Sequence, residues 1–250
     1  MNKFRLIARL DIKAPNLVKG IQLEGLRKMG DPNAFARQYY RDGIDEILYM
    51  DIVASLYGRN SLLDIVRKTT EDVFIPITVG GGLRRIDDVQ KALTAGADKV
   101  AINTAAIKNK HLINEVARRF GNQCMVLSIE AKQQANGWEA YYDNGREHSG
   151  LDVLEWAAEG ERLGAGEILL TSVDLEGMHR GMDEDLITAV SSAVSIPVIA
   201  SGGCASARHA VDASAAGASG VAVAGLLHYK TATVQGLKQG ILAEKGLVRV

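Results

Sequence analysis

The chain has 250 residues, with 29 Lys and Arg against 30 Asp and Glu and a formal net charge of −1. Apolar residues make up 47% and charged residues 24%, the balance of a soluble globular chain, and the length matches the roughly 250 residues typical of a (β/α)8 barrel. These figures exclude a strongly basic nucleic-acid binder; no apolar run reaches the ~18 residues of a membrane span, and Cys124 and Cys204 supply neither a disulfide framework nor metal-ligand spacing.

In chain order, β-branched apolar runs predict strands at 5–11, 46–52, 75–79, 99–103, 125–130, 167–172, 197–201 and 220–224. Amphipathic stretches predict helices at 32–41, 61–70, 86–95, 110–120, 151–163, 183–193, 205–216 and 232–245. The first apolar run is interrupted by Arg9 and is shorter than the roughly 7–15 residues of a secretory signal, so a cytoplasmic location is expected. Eight strand–helix alternations without a natural linker predict one α/β domain over residues 1–250, its parallel sheet closed into a (β/α)8 TIM barrel. Segment 131–149, with Trp138, Tyr141, Tyr142 and an Asn144-Gly145 turn, breaks the rhythm and reads as a hairpin inserted after the fifth strand.

An internal repeat runs through the chain. Pro76, Gly81, Gly82, Ala95, Gly96, Ala97, Val100 and Ala101 recur in one register as Pro197, Gly202, Gly203, Ala216, Gly217, Ala218, Val221 and Ala222. A shared register predicts two duplicated half-barrels, about 1–122 and 123–250.

The chemistry-bearing residues fall at strand ends. Gly80-Gly81-Gly82 and Ser201-Gly202-Gly203 each separate a strand from a helix, where close backbone approach and free N–H groups suit a phosphate. With Asn103 and Thr104 as donors beside the first cluster, the pair implies a ligand phosphorylated at both ends. Asp11 and Glu130 end opposite strands, and strand alternation turns Arg5, Ile7, Arg9 and Asp11 inward together, as it does Val126, Ser128 and Glu130. Two facing carboxylates suit general acid–base catalysis. Arg5, Glu46, Lys99 and Glu167 start their strands and predict a ring of charge at the opposite end, either a structural plug or a gate around an axial passage. His148 and His179 lie in rim loops within reach of a substrate, whereas Cys204 has no base placed to activate it. No metal or other cofactor is expected.

Leu10-Asp11-Ile12-Lys13, Val18-Lys19-Gly20, Thr78-Val79-Gly80-Gly81-Gly82, Ala97-Asp98-Lys99-Val100 and Ile199-Ala200-Ser201-Gly202-Gly203 resemble the cyclase subunit family of imidazole glycerol-phosphate synthase, HisF, along nearly the whole chain. The resemblance implies a half-barrel duplication that takes ammonia from a HisH-like glutaminase docked on its N-terminal face. Matched by position, it implies that Asp11 and Glu130 are catalytic, that Arg5, Glu46, Lys99 and Glu167 form an ammonia gate, and that Asp98 faces the glutaminase. It further implies that Lys19 lies on a mobile first loop closing over a phosphorylated substrate. Gly82, Asn103, Thr104, Gly177, Gly203 and Ala224 fall on the two phosphate sites.

Several positions depart from the family pattern. Glu130 replaces an aspartate, Glu176 replaces an aspartate, Gly225 stands where a serine is usual, and Leu23 where an aromatic residue is. Arg9 replaces a small residue and, pointing inward, should pair with Asp11 or Glu130 and lower their basicity. These departures, with Arg9-Leu10-Asp11-Ile12-Lys13 and residues 54–60, resemble a divergent branch that delivers ammonia to a separate sugar amidotransferase for acetamidino modification of a surface polysaccharide. The alternatives are a working cyclase of histidine biosynthesis and a non-catalytic scaffold that activates a glutaminase. Neither a nucleic-acid nor a membrane partner is expected.

Overall fold

Strand pairing runs without interruption around a ring in the computed structural model, which describes residues 3–53 and 62–249. The ring strands are β1 (Arg5–Lys13), β4 (Glu46–Asp51), β5 (Ile77–Gly80), β6 (Lys99–Ile102), β7 (Met125–Gln134), β10 (Glu167–Ser172), β11 (Val198–Ser201) and β12 (Gly220–Val223). Neighbours pair in parallel, and β12 closes on β1 through Arg5 opposite Gly220 and Ile7 opposite Ala222. This is the expected (β/α)8 TIM barrel. The family-like segment 54–60 and the first residue of the helix expected at 61–70 lie outside the described residues.

Local chemistry sets the helix limits. The long helices are α1 (Pro32–Arg41), α2 (Leu62–Thr70), α3 (Ile86–Thr94), α5 (His111–Phe120), α6 (Val153–Leu163), α7 (Glu184–Ala193), α8 (Ala207–Ala215) and α10 (Val234–Ala243). The short turns α4 (Thr104–Lys108) and α9 (Gly225–His228) follow β6 and β12 directly. Asp31 caps α1 through the Asn33 N–H with Pro32 in its first turn, while Asp183, Ser206 and Thr233 cap α7, α8 and α10. The expected start of α6 at 151 gives way to Val153, because Asp152 caps the helix through the Leu154 and Glu155 N–H groups.

Alternation along each strand separates two packed regions. Ile7, Leu48, Val126, Leu169, Ile199 and Ala222 fill the barrel interior. Leu6, Leu10, Ile47, Leu127 and Val221 face outward onto helical residues such as Ala36, Val89, Val116 and Ile241.

Antiparallel hairpins cover the C-terminal mouth. The expected insertion after the fifth strand is larger than one hairpin: β7 extends to Gln134, then β8 (Gly137–Tyr142) and β9 (Glu147–Asp152) fold back in register. The first loop is a hairpin of β2 (Asn16–Ile21) and β3 (Glu24–Gly30), with β2 paired to the end of β1. Among the described residues no helix is long and apolar enough to cross a membrane.

Leu10 is fully buried between barrel and helices. Leu10→Ala is therefore expected to lose about 2–5 kcal/mol of stability in urea unfolding, and a loss below about 1 kcal/mol would mean that the outer layer closes over the cavity.

Candidate functional site at the C-terminal mouth

The ends of β1, β4, β5, β6 and β7 enclose a cavity of about 280 Å³, lined by Arg9, Asp51, Gly81, Gly82, Asn103, Thr104, Glu130 and Asn144 among others. Gly81 is required here by geometry. Its φ of +88° lies in the left-handed region, and a Cβ would stand 2.1 Å from the Asp51 carbonyl oxygen. Asn103 donates from Nδ2 to the Tyr141 carbonyl at 3.0 Å, while its buried Oδ1 has no partner. Thr104 Oγ1 accepts the Asp143 N–H at 3.1 Å, joining this wall to the β8–β9 turn.

Asp11 and Glu130 both enter the mouth, in opposite electrostatic surroundings. Glu130 accepts the Gly145 N–H at 2.7 Å. Burial pushes its carboxyl up to about 7, against the opposing pull of that N–H and of Arg9. Burial also acts to raise Asp11, but Arg9 and then Lys19 outweigh it and hold the carboxyl below its usual range. The Arg9 guanidinium donates from Nε to Asp11 at 2.9 Å and from Nη1 to Thr171 Oγ1 and Ser201 Oγ, both at 3.0 Å. Arg9 thus takes Asp11 as its partner, as expected. It also acts to lower Glu130, as expected, but dehydration exceeds that attraction and leaves the carboxyl raised.

The second glycine cluster is more crowded. Gly202, Gly203, Glu176, Gly177, His179, Ala224 and Gly225 surround a space of about 20 Å³. Lys19, expected on the first loop, is buried on β2, where it forms an ion pair with Glu176 and lies 3.9 Å from Asp11. Gly203 has a φ of +86°, and a Cβ there would lie 1.9 Å from the Gly181 carbonyl oxygen. The missing serine at Gly225 has a steric counterpart: a Cβ at that position would stand 2.9 Å from His179 Cε1. His148 is instead held away from the cavity wall, with Nε2 at 3.1 Å from Tyr141 Oη and Nδ1 at 3.2 Å from Glu139. Cys204 is buried and its thiol is pushed up to about 12, which leaves it protonated.

At the other end of the bore the four strand-start charges form a closed ring. Arg5 bonds Glu46 at 2.8 Å and also Glu167, and Lys99 stands 3.4 Å from Glu46 and 2.9 Å from Glu167. Asp98 is exposed on this face, its carboxylate accepting the Ile77 N–H at 2.8 Å. The apolar layer around Ile7, Leu48 and Leu169 lies between ring and mouth.

His228 was not singled out by its place in the sequence. It is buried beneath β1, with Nε2 at 3.0 Å from the Arg9 carbonyl and Nδ1 at 2.7 Å from Tyr39 Oη. Burial lowers it to about 4, so a neutral ring donates from Nε2 to that carbonyl and accepts the tyrosine hydroxyl proton at Nδ1. The link joins α1, α9 and β1, which no local spacing reports. Among the described residues no group of three or more His, Cys, Asp or Glu is placed to hold a metal ion.

Fold and mouth together define a (β/α)8-barrel protein whose polar, carboxylate-bearing site lies at the C-terminal ends of the strands. The family model for histidine biosynthesis proteins matches residues 5–233, and the chain belongs to that family. It is similar to proteins named imidazole glycerol phosphate synthase subunit HisF. That of Legionella pneumophila is 65% identical over 204 residues, covering 81% of this chain and 96% of the relative. Those of Mycobacteroides abscessus and Myxococcus xanthus are 45% and 49% identical, covering 98% and 97% of this chain and 98% and 96% of the relatives. None of these names carries the sugar modification or the separate amidotransferase expected above; the similarity favours the alternative, a HisF of histidine biosynthesis.

The two buried groups make stability depend on pH in opposite directions. Glu130 has a folded value above the ordinary 4.5, so its contribution is fully present below 4.5 and is lost as pH rises through about 7. His228 has a folded value of about 4, below the ordinary 6.5, so its penalty is relieved as pH rises from about 4 to 6.5. Glu130→Gln isolates the first effect. Relative to the parent chain it should gain roughly 3 kcal/mol between about pH 5 and pH 8 in urea unfolding, whereas a pH-independent difference would show an ordinary carboxyl.

Proposed function

We propose that the chain is the cyclase subunit of an imidazole glycerol phosphate synthase. It receives ammonia from a HisH-like glutaminase on its N-terminal face. With that ammonia it converts the bisphosphorylated ribulosyl aminoimidazole intermediate to imidazole glycerol phosphate and aminoimidazole carboxamide ribotide. The observation that carries the reading is one barrel axis with the Arg5, Glu46, Lys99 and Glu167 ring at its base and the Glu130 cavity at its top. Similarity to HisF subunits along almost the whole chain supports it.

In this reading Gly81, Gly82, Asn103 and Thr104 take one phosphate. Gly177, Gly202, Gly203, Ala224 and Gly225 take the other, once the Lys19–Glu176 pair parts to admit it. Asp11 and Glu130 are the catalytic carboxylates. With its value near the working pH, Glu130 can both accept and return a proton, while Asp11 stays ionised and stabilises positive charge. The ring is the ammonia gate, and Asp98 meets the glutaminase. A second reading, ammonia delivery with little cyclisation, is favoured by Arg9, whose guanidinium spans from β1 to Thr171 and Ser201 beneath the mouth.

Ammonium-driven turnover of the bisphosphorylated intermediate by the isolated chain separates the two. The cyclase reading expects a measurable rate that falls about 10²–10⁴-fold in Glu130→Gln and survives in part in Glu130→Asp. A background rate in both the parent chain and Glu130→Asp would leave delivery alone. With the glutaminase docked, Lys99→Ala should release free ammonia in place of product, and unchanged coupling between glutamine consumed and product formed would argue against a gate.

A further inference from the structure

Asp11 and Arg9 do not share the mouth equally. Arg9 and Glu130 both form part of the wall of the 280 Å³ cavity, whereas Asp11 does not. Asp11 is 2% exposed, with Oδ1 bonded to Arg9 Nε at 2.9 Å and Oδ2 turned to Lys19 at 3.9 Å. The guanidinium therefore joins this carboxylate to the cavity wall.

Arg9 is also held in place without being saturated. Its Nε and Nη1 are occupied by Asp11, Thr171 and Ser201, elements on β1, β10 and β11. A guanidinium carries five N–H donors, and Nη2 has no hydrogen bond to any described residue. Elsewhere in the same cavity the buried Asn103 Oδ1 has no partner either. A free cationic donor asks for an acceptor oxygen, and a free amide oxygen asks for a hydroxyl or N–H. A hydroxy-ketone segment supplies both.

We propose that Arg9 is a substrate-binding and specificity-determining residue, its Nη2 edge taking a carbonyl oxygen of a hydroxy-ketone ligand, and that Asp11, beside its catalytic part, positions that guanidinium. The inference rests on the proposed cyclase reading for the identity of the ligand, a phosphorylated ketose derivative. It differs from that reading in what it requires, since it concerns binding and not turnover.

The test is calorimetric binding of the bisphosphorylated ribulosyl aminoimidazole compound in ammonia-free solution, where the ligand is not consumed. Arg9→Ser should weaken binding about tenfold or more relative to the parent chain, with Arg9→Lys also weakened, because an ammonium cannot keep the three-way fork while presenting a planar edge. Asp11→Asn should weaken binding too, and the double variant should bind no worse than Arg9→Ser alone, since both changes act on one guanidinium. The ¹⁵N resonance of Arg9 Nε, protected from exchange by its bond to Asp11 in the parent chain, should broaden in Asp11→Asn, which general loosening of the barrel would not confine to this signal. Equal or tighter binding by Arg9→Ser overturns the inference, as do additive losses in the double variant or an absence of binding by the parent chain. Should Arg9→Ser fail to fold by circular dichroism, Arg9→Lys decides: about tenfold weaker supports the assignment and unchanged affinity overturns it. Tight binding without turnover would defeat the cyclase reading and leave this assignment standing.

Discussion

A strand that alternates its side chains sends Arg5, Ile7, Arg9 and Asp11 of β1 into the same bore, where little water shields charge. Each charge must then find its counterpart within the barrel, because leaving one partner of a buried pair alone costs about 3–5 kcal/mol. Arg5 finds Glu46 and Glu167 on the neighbouring and distant strands, and Lys99 completes that ring. Arg9 finds Asp11 along its own strand and two hydroxyls across the bore. The apolar layer between them keeps the two charged groups apart.

From that pairing follows a division of labour between two carboxyls that look alike in sequence. Asp11, between a guanidinium and an ammonium, is held ionised. Glu130, dehydrated and braced by a single backbone N–H from the β8–β9 turn, sits near neutrality instead. Separated pKa values are what an acid–base site requires.

The barrel was legible because strand and helix periods alternate along the chain. The exact helix starts came from the structure, where Asp31, Asp183, Ser206 and Thr233 cap their helices. The β2–β3 hairpin was not legible. Its tip, Gln22 and Leu23, takes positive φ values of 49° and 65° without a glycine, and it is held from outside by the Glu176 and Asp174 carbonyls and by Asn144. A turn stabilised by distant segments leaves no local signature. The same reason hid His228, whose partners Tyr39 and Arg9 lie on other elements.

The sequence alone determined the eightfold alternation, the inward set of β1 and β7, the glycines at strand ends and the four charges at strand starts, all properties of period and position. Tertiary structure decided which charges pair, which carboxyl stays neutral, that Lys19 is buried against Glu176, and that His179 fills the space beside Gly225. Those outcomes depend on distances between strands far apart in the chain and on the loss of water between them, and neither is written in the order of residues.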